Sequence, residues 1–126
     1  MSSSTAATVL VADDDEDVRH VVREALQRQG CRVVEASDGR MALDLIGRES
    51  FDLVVVDLHM PYVHGHDIIR ALRDPSVVRR VPIIVLSGSS GEQHSLQSLV
   101  LGASVFMAKP ADARALAREV KRLLRG

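Results

Sequence analysis

A doubly wound α/β domain built on one parallel sheet is the fold this sequence predicts, and three observations predict it. Short apolar runs recur at 9–12, 33–36, 53–56, 83–86 and 105–107. Several are flat and rich in β-branched residues rather than alternating, as strands covered on both faces are. Segments with the 3.6-residue apolar period lie between and after them. Five strands alternating with five helices imply a parallel sheet with helices on both sides, joined by right-handed crossovers.

Taken in order, residues 1–8 (MSSSTAAT) are small and polar. They predict a flexible N-terminal tail ahead of a domain spanning 9–126. The first strand runs into Asp13, Asp14, Asp15, Glu16 and Asp17. Val18, Val21, Val22, Ala25 and Leu26 then form the stripe of the first helix, which Gly30 stops. After the second strand, Asp38 is a fitting cap for a helix marked by Ala42, Leu45 and Ile46. The third strand ends in Asp57, and Ile68, Ile69 and Leu72 mark a helix ending near Pro75. The fourth ends in Ser87; Leu96, Leu99 and Val100 mark a weaker helix stopped near Gly102. The fifth is followed by Lys109 and Pro110, and Leu116, Val120, Leu123 and Leu124 mark the last helix. There is no internal repeat and no low-complexity linker.

The chain's 126 residues suit one domain, and its 46% hydrophobic content allows a true core. Charged residues make up 26% and nearly balance, for a net charge of -1, so nothing global predicts nucleic-acid or membrane binding. At 2% aromatic residues the chain lacks stacking platforms for single-stranded nucleic acid. Cys31 is the single cysteine, so no internal disulfide can form. Residues 1–8 lack the basic region and apolar stretch of a signal peptide, and no run approaches the ~18 apolar residues of a membrane span, so a cytoplasmic location is expected.

Ligands of such sheets bind beyond the carboxyl ends of the strands. Those ends carry the acid run, Asp57, Ser87 and Lys109. Carboxylates crowded together repel, which raises their pKa values and opposes folding. A hard divalent cation relieves that repulsion, and Mg²⁺ combines one or two carboxylates with waters and phosphate oxygens. Lys109 would offer a point charge to a phosphoryl group, and Ser87 a hydrogen bond. A carboxylate between them can act as nucleophile in aspartyl-phosphate chemistry.

The segments VLVADDDEDVR, DLVVVDLHMP followed by Gly65, PIIVLSG and FMAKP resemble, in order and spacing, the response-regulator receiver family of two-component signalling. The resemblance covers residues 9 to about 125. It implies the flavodoxin-like strand order 2-1-3-4-5, which is known for the chemotaxis receiver. It implies Asp57 as phosphoacceptor, with Asp13, Asp14, Asp57 and the backbone carbonyl of His59 around Mg²⁺ (or Mn²⁺). Ser87 and Lys109 would hold the phosphoryl oxygens, and Ser87 and Phe106 would act as the switch pair. The phosphodonor partner would be a histidine kinase or phosphotransfer protein. A downstream protein would meet the face formed by helix 4, strand 5 and helix 5. Neither direct nucleic-acid contact nor membrane insertion is implied. The domain would be a signalling phosphoacceptor with slow autodephosphorylation, which His59 and Ser89 would tune, rather than an enzyme. The chain departs from the family at Ala12, where a larger aliphatic is common, and at Ser87, where threonine is commoner. Gly88, Ser89, Ser90 and Gly91 make an unusually permissive loop, and Tyr62, Val63 and His64 a bulky one.

Plainer readings stand beside these. Asp15 to Asp17 suit the first turn of a helix, with Asp14 or Asp15 as its cap; that leaves Asp13 unexplained. Phe106 is a core or boundary aromatic whatever else it does. His59, His64 and His66 are read as decorating a surface loop rather than holding zinc. Arg114, Arg118, Arg122 and Arg125 are most simply a solvated helix face, one that could also meet a partner. A flavin protein of similar fold would need a phosphate cradle after strand 1, where five acids stand instead. A phosphohydrolase of the haloacid-dehalogenase type would need an acid where His59 stands. A degenerate receiver used only for binding would lack some of the site residues, and here all are present.

Overall fold

The flat apolar runs become the strands of a single sheet because their residues can be buried on both faces. The computed structural model describes residues 6–77, 79–88, 92–109 and 112–125. Its strands are β1 (Thr8–Ala12), β2 (Arg32–Ala36), β3 (Leu53–Asp57), β4 (Ile83–Ser87) and β5 (Val105–Ala108). The helices are α1 (Glu16–Gln27), α2 (Gly39–Arg48), α3 (Gly65–Leu72), α4 (Glu92–Leu101) and α5 (Ala113–Arg125). All strand pairs are parallel, in the order β2-β1-β3-β4-β5, which is the predicted order. Residues 1–5 of the predicted tail lie outside the described residues, as do Ser89, Ser90, Gly91 and Pro110.

Period-two alternation divides the core in two. Leu10, Ala12, Val54, Val56, Ile83 and Val85 face one layer, packing with Ala42 of α2, Ile68, Ile69 and Leu72 of α3, and Leu101 of α4. Val9, Val11, Leu53, Val55, Ile84 and Leu86 face the other, with Val22, Ala25 and Leu26 of α1 and Leu116 and Val120 of α5. The twelve strand residues among these, from β1, β3 and β4, are at most 1% exposed, which is why those runs read as continuous rather than alternating.

Local signals hold at most ends. Asp15 caps α1 by accepting from the amides of Asp17 and Val18, and Asp38 caps α2 by accepting from Met41. Gly30 and Gly102 adopt left-handed φ values of 82° and 119° after α1 and α4. Four expectations need correction. The first strand begins at Thr8, assigned to the tail by its polarity. Thr8 pairs with Arg32, and its amide donates to Asp52 Oδ2 at 2.8 Å, which anchors it despite the small side chain. Val21 is 42% exposed, at the margin of the α1 stripe rather than inside it. In α4 two residues of the predicted stripe, Leu99 and Val100, are turned outward and exposed, while Ser98 is buried; the side chain of Leu96 lies outside the described residues. His66 is buried, not on a surface loop, because it belongs to the first turn of α3 and its Nε2 meets Ser98 Oγ at 2.9 Å.

Candidate functional site

The ends of β1 and β3 are neighbours in the sheet, so the residues that follow them meet. Asp13 and Asp57 are 2% and 3% exposed, whereas Asp14 is exposed. Their carboxylates each offer an oxygen, and the three oxygens lie within 4.8 Å of one another. This is the one His/Cys/Asp/Glu cluster among the described residues with metal-holding geometry. The backbone fixes Asp13 tightly. Its amide donates to Ala36 O at 3.1 Å, its carbonyl accepts from Arg19 Nη1 at 2.8 Å, and its Oδ1 accepts from the amide of Asp15 at 2.9 Å.

Lys109 reaches this cluster from the end of β5. Its amide donates to Ser87 O at 2.9 Å, extending the β4–β5 pairing past the strand ends. Its Nζ lies 2.8 Å from Asp13 Oδ2 and 3.4 Å from Asp57 Oδ2. The contact with Asp13 Oδ2 is ionic rather than well directed, so that buried oxygen lacks an aligned hydrogen bond. Burial, then the Asp13 carboxylate, raises the Asp57 carboxyl above its ordinary range, outweighing Lys109 and the His59 amide. Burial alone would lower Lys109, but the Asp13 and Asp57 carboxylates override it and hold the ammonium above its usual value. One ammonium therefore serves two buried carboxylates and leaves excess negative charge.

That arrangement fits a hard cation. The donors are carboxylate oxygens, they converge, and one of them is buried without a directed partner. His59 follows closely, its amide donating to Asp57 Oδ1 at 3.4 Å. Ser87 is fully buried at the end of β4. Phe106 is half-buried, beside Val85 in register, and packs against the core on the α2–α3–α4 side, as a boundary aromatic should. The structure thus brings Asp13, Asp14, Asp57 and Lys109 together, with His59 and Ser87 on the adjoining strand ends, and leaves Phe106 one layer away.

Several neighbours escape the sequence. Arg19 ties Asp13 O to Glu35, its Nε meeting Glu35 Oε1 at 3.2 Å; a partner that is a main-chain carbonyl leaves no trace in residue types. Gly65 lets α3 begin against β3, since a Cβ there would lie 2.5 Å from Asp57 O and 2.7 Å from Leu58 Cα. Tyr62 adopts a φ of 73°, is 72% exposed, and lies beneath the Arg40 guanidinium, 4.2 Å from the ring centroid. His59 and His64 meet edge to face at 5.4 Å, and His64 and His66 at 4.8 Å.

The response regulator receiver domain profile matches residues 9–121. The transcriptional regulatory protein CpxR of Escherichia coli K12 is 34% identical over 117 residues, 93% of this chain and 49% of its own. The chain spans about half the length of the curated relatives it matches. Among solved structures, the chemotaxis response regulator CheY4 of Vibrio cholerae superposes with a TM-score of 0.86 at 30% identity, covering 94% of this chain and 99% of that one. A response regulator from Burkholderia pseudomallei, solved with a phosphorylated aspartic acid, calcium ion and citrate, gives 0.79 at 31% identity, covering 92% and 71%.

Proposed function

Because this chain belongs to the response regulator receiver domain family, whose general function is to accept a phosphoryl group on an aspartate, we propose that the acceptor here is Asp57. The observation that carries the assignment is Lys109 Nζ placed between Asp13 and Asp57 at the buried end of the sheet. Receiver domains are signalling phosphoacceptors, and the donor is a histidine kinase or phosphotransfer protein. An Asp57 carboxylate oxygen attacks phosphorus in line, the phosphorus–nitrogen bond of the phosphohistidine breaks, and an aspartyl phosphate results. Asp13, Asp14, Asp57 and the carbonyl of His59 would hold Mg²⁺ or Mn²⁺, which neutralises charge on the transferring group when bound. Lys109 swings its ammonium from the carboxylates to a phosphoryl oxygen, and the Ser87 hydroxyl donates to another. The phosphorylated aspartic acid and calcium ion of the Burkholderia protein support this chemistry.

The output follows from the same residues. Drawing Ser87 and Lys109 toward a phosphoryl group shifts the ends of β4 and β5, the strand that carries Phe106, and biases the face formed by α4, β5 and α5. Leu99 and Val100 stand exposed on that face. The relatives twice this length are transcriptional regulators, so an output of that kind is the proposed downstream target. No helix among the described residues is long and apolar enough to cross a membrane, which accords with a cytoplasmic role.

Intact mass after incubation with acetyl phosphate and Mg²⁺ tests the reading. One phosphoryl group should be added, and none in the presence of EDTA or in Asp57→Asn. Undiminished labelling of Asp57→Asn would move the acceptor elsewhere.

A further inference from the structure

One arginine of α5 that the phosphoacceptor reading leaves unused, Arg122, borders a second charged site, at the opposite pole of the sheet. An open cavity of about 470 Å³ lies where β4 and β5 begin, and Arg73, Arg80, Arg122, Pro82, Gly102 and Ser104 help to line it. Its lining contains no aspartate or glutamate. Arg73, just past α3, is fixed there: its Nε donates to Gly102 O at 3.1 Å, and its stem lies so close to Gly102 that a Cβ would come within 2.9 Å of it. Its Nη1 is buried without any acceptor. Arg80 has no carboxylate partner among the described residues, whereas Arg122 holds Glu119 of its own helix at 2.6 Å. Ser104 Oγ already accepts from the Ile83 amide at 3.1 Å, which leaves its proton to donate.

The cavity therefore gathers donors with no acidic residue in its lining, and Arg73 Nη1 and Arg80 are left without a carboxylate partner among the described residues. Burial, then the charge of Arg80, pushes Arg73 below its ordinary value, the sign of a cation that lacks an anion. Planar guanidinium groups suit phosphate oxygens, which they can grip bidentately. We propose that this cavity binds a phosphate dianion, free or as the terminal group of a small phosphate ester, between Arg73, Arg80 and Ser104. Such a ligand joins the end of α3 to the α4–β5 turn and to the start of β4. It stabilises the pole from which the switch elements extend, without touching Asp57.

Backbone and arginine-side-chain NMR of the Mg²⁺-free chain tests this, titrating inorganic phosphate and, separately, glycerol phosphate against sodium chloride at equal ionic strength. Saturable shifts are expected at the amides of Gly102, Ala103 and Ser104 and at Arg73 Nε–H, with the signals of Asp57 and Lys109 unmoved. Equal affinity for the two ligands identifies free phosphate as sufficient; tighter binding of the ester identifies a phosphate-bearing metabolite. Arg80→Ala, at an exposed site whose loss leaves the fold intact, should weaken binding about tenfold, the worth of one charge-assisted contact. Arg73→Gln should abolish it. Identical shifts with chloride, affinity unchanged in Arg80→Ala, or tighter capture of an acidic peptide by the same residues would each overturn the assignment.

Discussion

At Asp57 two buried carboxylates share one ammonium, and that imbalance has measurable consequences. The raised Asp57 carboxyl shows that its charged form is disfavoured in the metal-free fold, by burial and then by Asp13. Removing the charge should help. Asp57→Asn should raise the metal-free unfolding free energy at neutral pH by about 1 kcal/mol, read by urea denaturation. The wild type should gain stability when Mg²⁺ is added and Asp57→Asn should gain much less, because binding to the folded state alone stabilises by mass action. A variant less stable than the wild type without metal would refute the crowding. Lys109→Met should do the opposite. It strands Asp13 and Asp57 together and should cost about 3 kcal/mol without metal, as breaking a buried pair does, with a large part recovered in Mg²⁺. These residues were legible because each stands at the carboxyl end of an apolar run, where a charge has no structural excuse. Arg19 was not, since the group it holds is the backbone carbonyl of Asp13.

Among the elements, α3 and α4 show most clearly what periodicity can and cannot reveal. The stripe of α3 was readable because Ile68, Ile69 and Leu72 are all buried. What the stripe could not reveal is how closely the helix start presses on β3. The atoms a Gly65 Cβ would strike are backbone atoms of Asp57 and Leu58, which cannot rotate away. Gly65→Ala should therefore destabilise by about 2 kcal/mol, a cost in the overpacking range, and slow phosphoryl uptake by displacing the Asp57 peptide. Wild-type stability and uptake in this variant would show that the loop yields. In α4 the apolar pattern misleads, because the inward position is a serine whose burial is sustained by His66 across from it. Ser98→Ala removes that bond and should cost about 1 kcal/mol in thermal or urea unfolding. On the proposed output reading, the outward Leu99 and Val100 serve an interface rather than the core.

Across the whole molecule, ion pairs outside the carboxylate cluster join segments distant in sequence. Glu35 of β2 receives Arg23 at 2.8 Å and Arg19 at 3.2 Å, fastening α1 to the sheet edge. Asp52, just before β3, receives the Thr8 amide at 2.8 Å and Arg79 at 2.6 Å, drawing together the starts of β1, β3 and β4. The strand order that makes these meetings possible came from the family's motifs, since composition and period allow other parallel orders; the individual pairs were invisible because their partners lie on separate elements. Their pH signature is defined in sign. Burial pushes Glu35 up, but the hydrogen bonds and charge of Arg23 and Arg19 outweigh it and leave the carboxyl below its ordinary range. The Thr8 amide, then Arg79, lowers Asp52 in the same way. A carboxyl depressed by folding contributes stability that is complete above its unfolded value, near ~4, and is lost as pH falls through the lower folded value. Stability should thus decline as pH drops below about 4, in the window these depressed carboxyls define. Both groups are partly solvated, so salt should shrink the effect. Glu35→Gln combined with Asp52→Asn should flatten the slope of unfolding free energy against pH below about 4 while lowering stability at pH 7. The two sites lie on different elements and share no partner, so their effects should add. A slope as steep as that of the wild type would assign acid sensitivity to other carboxylates.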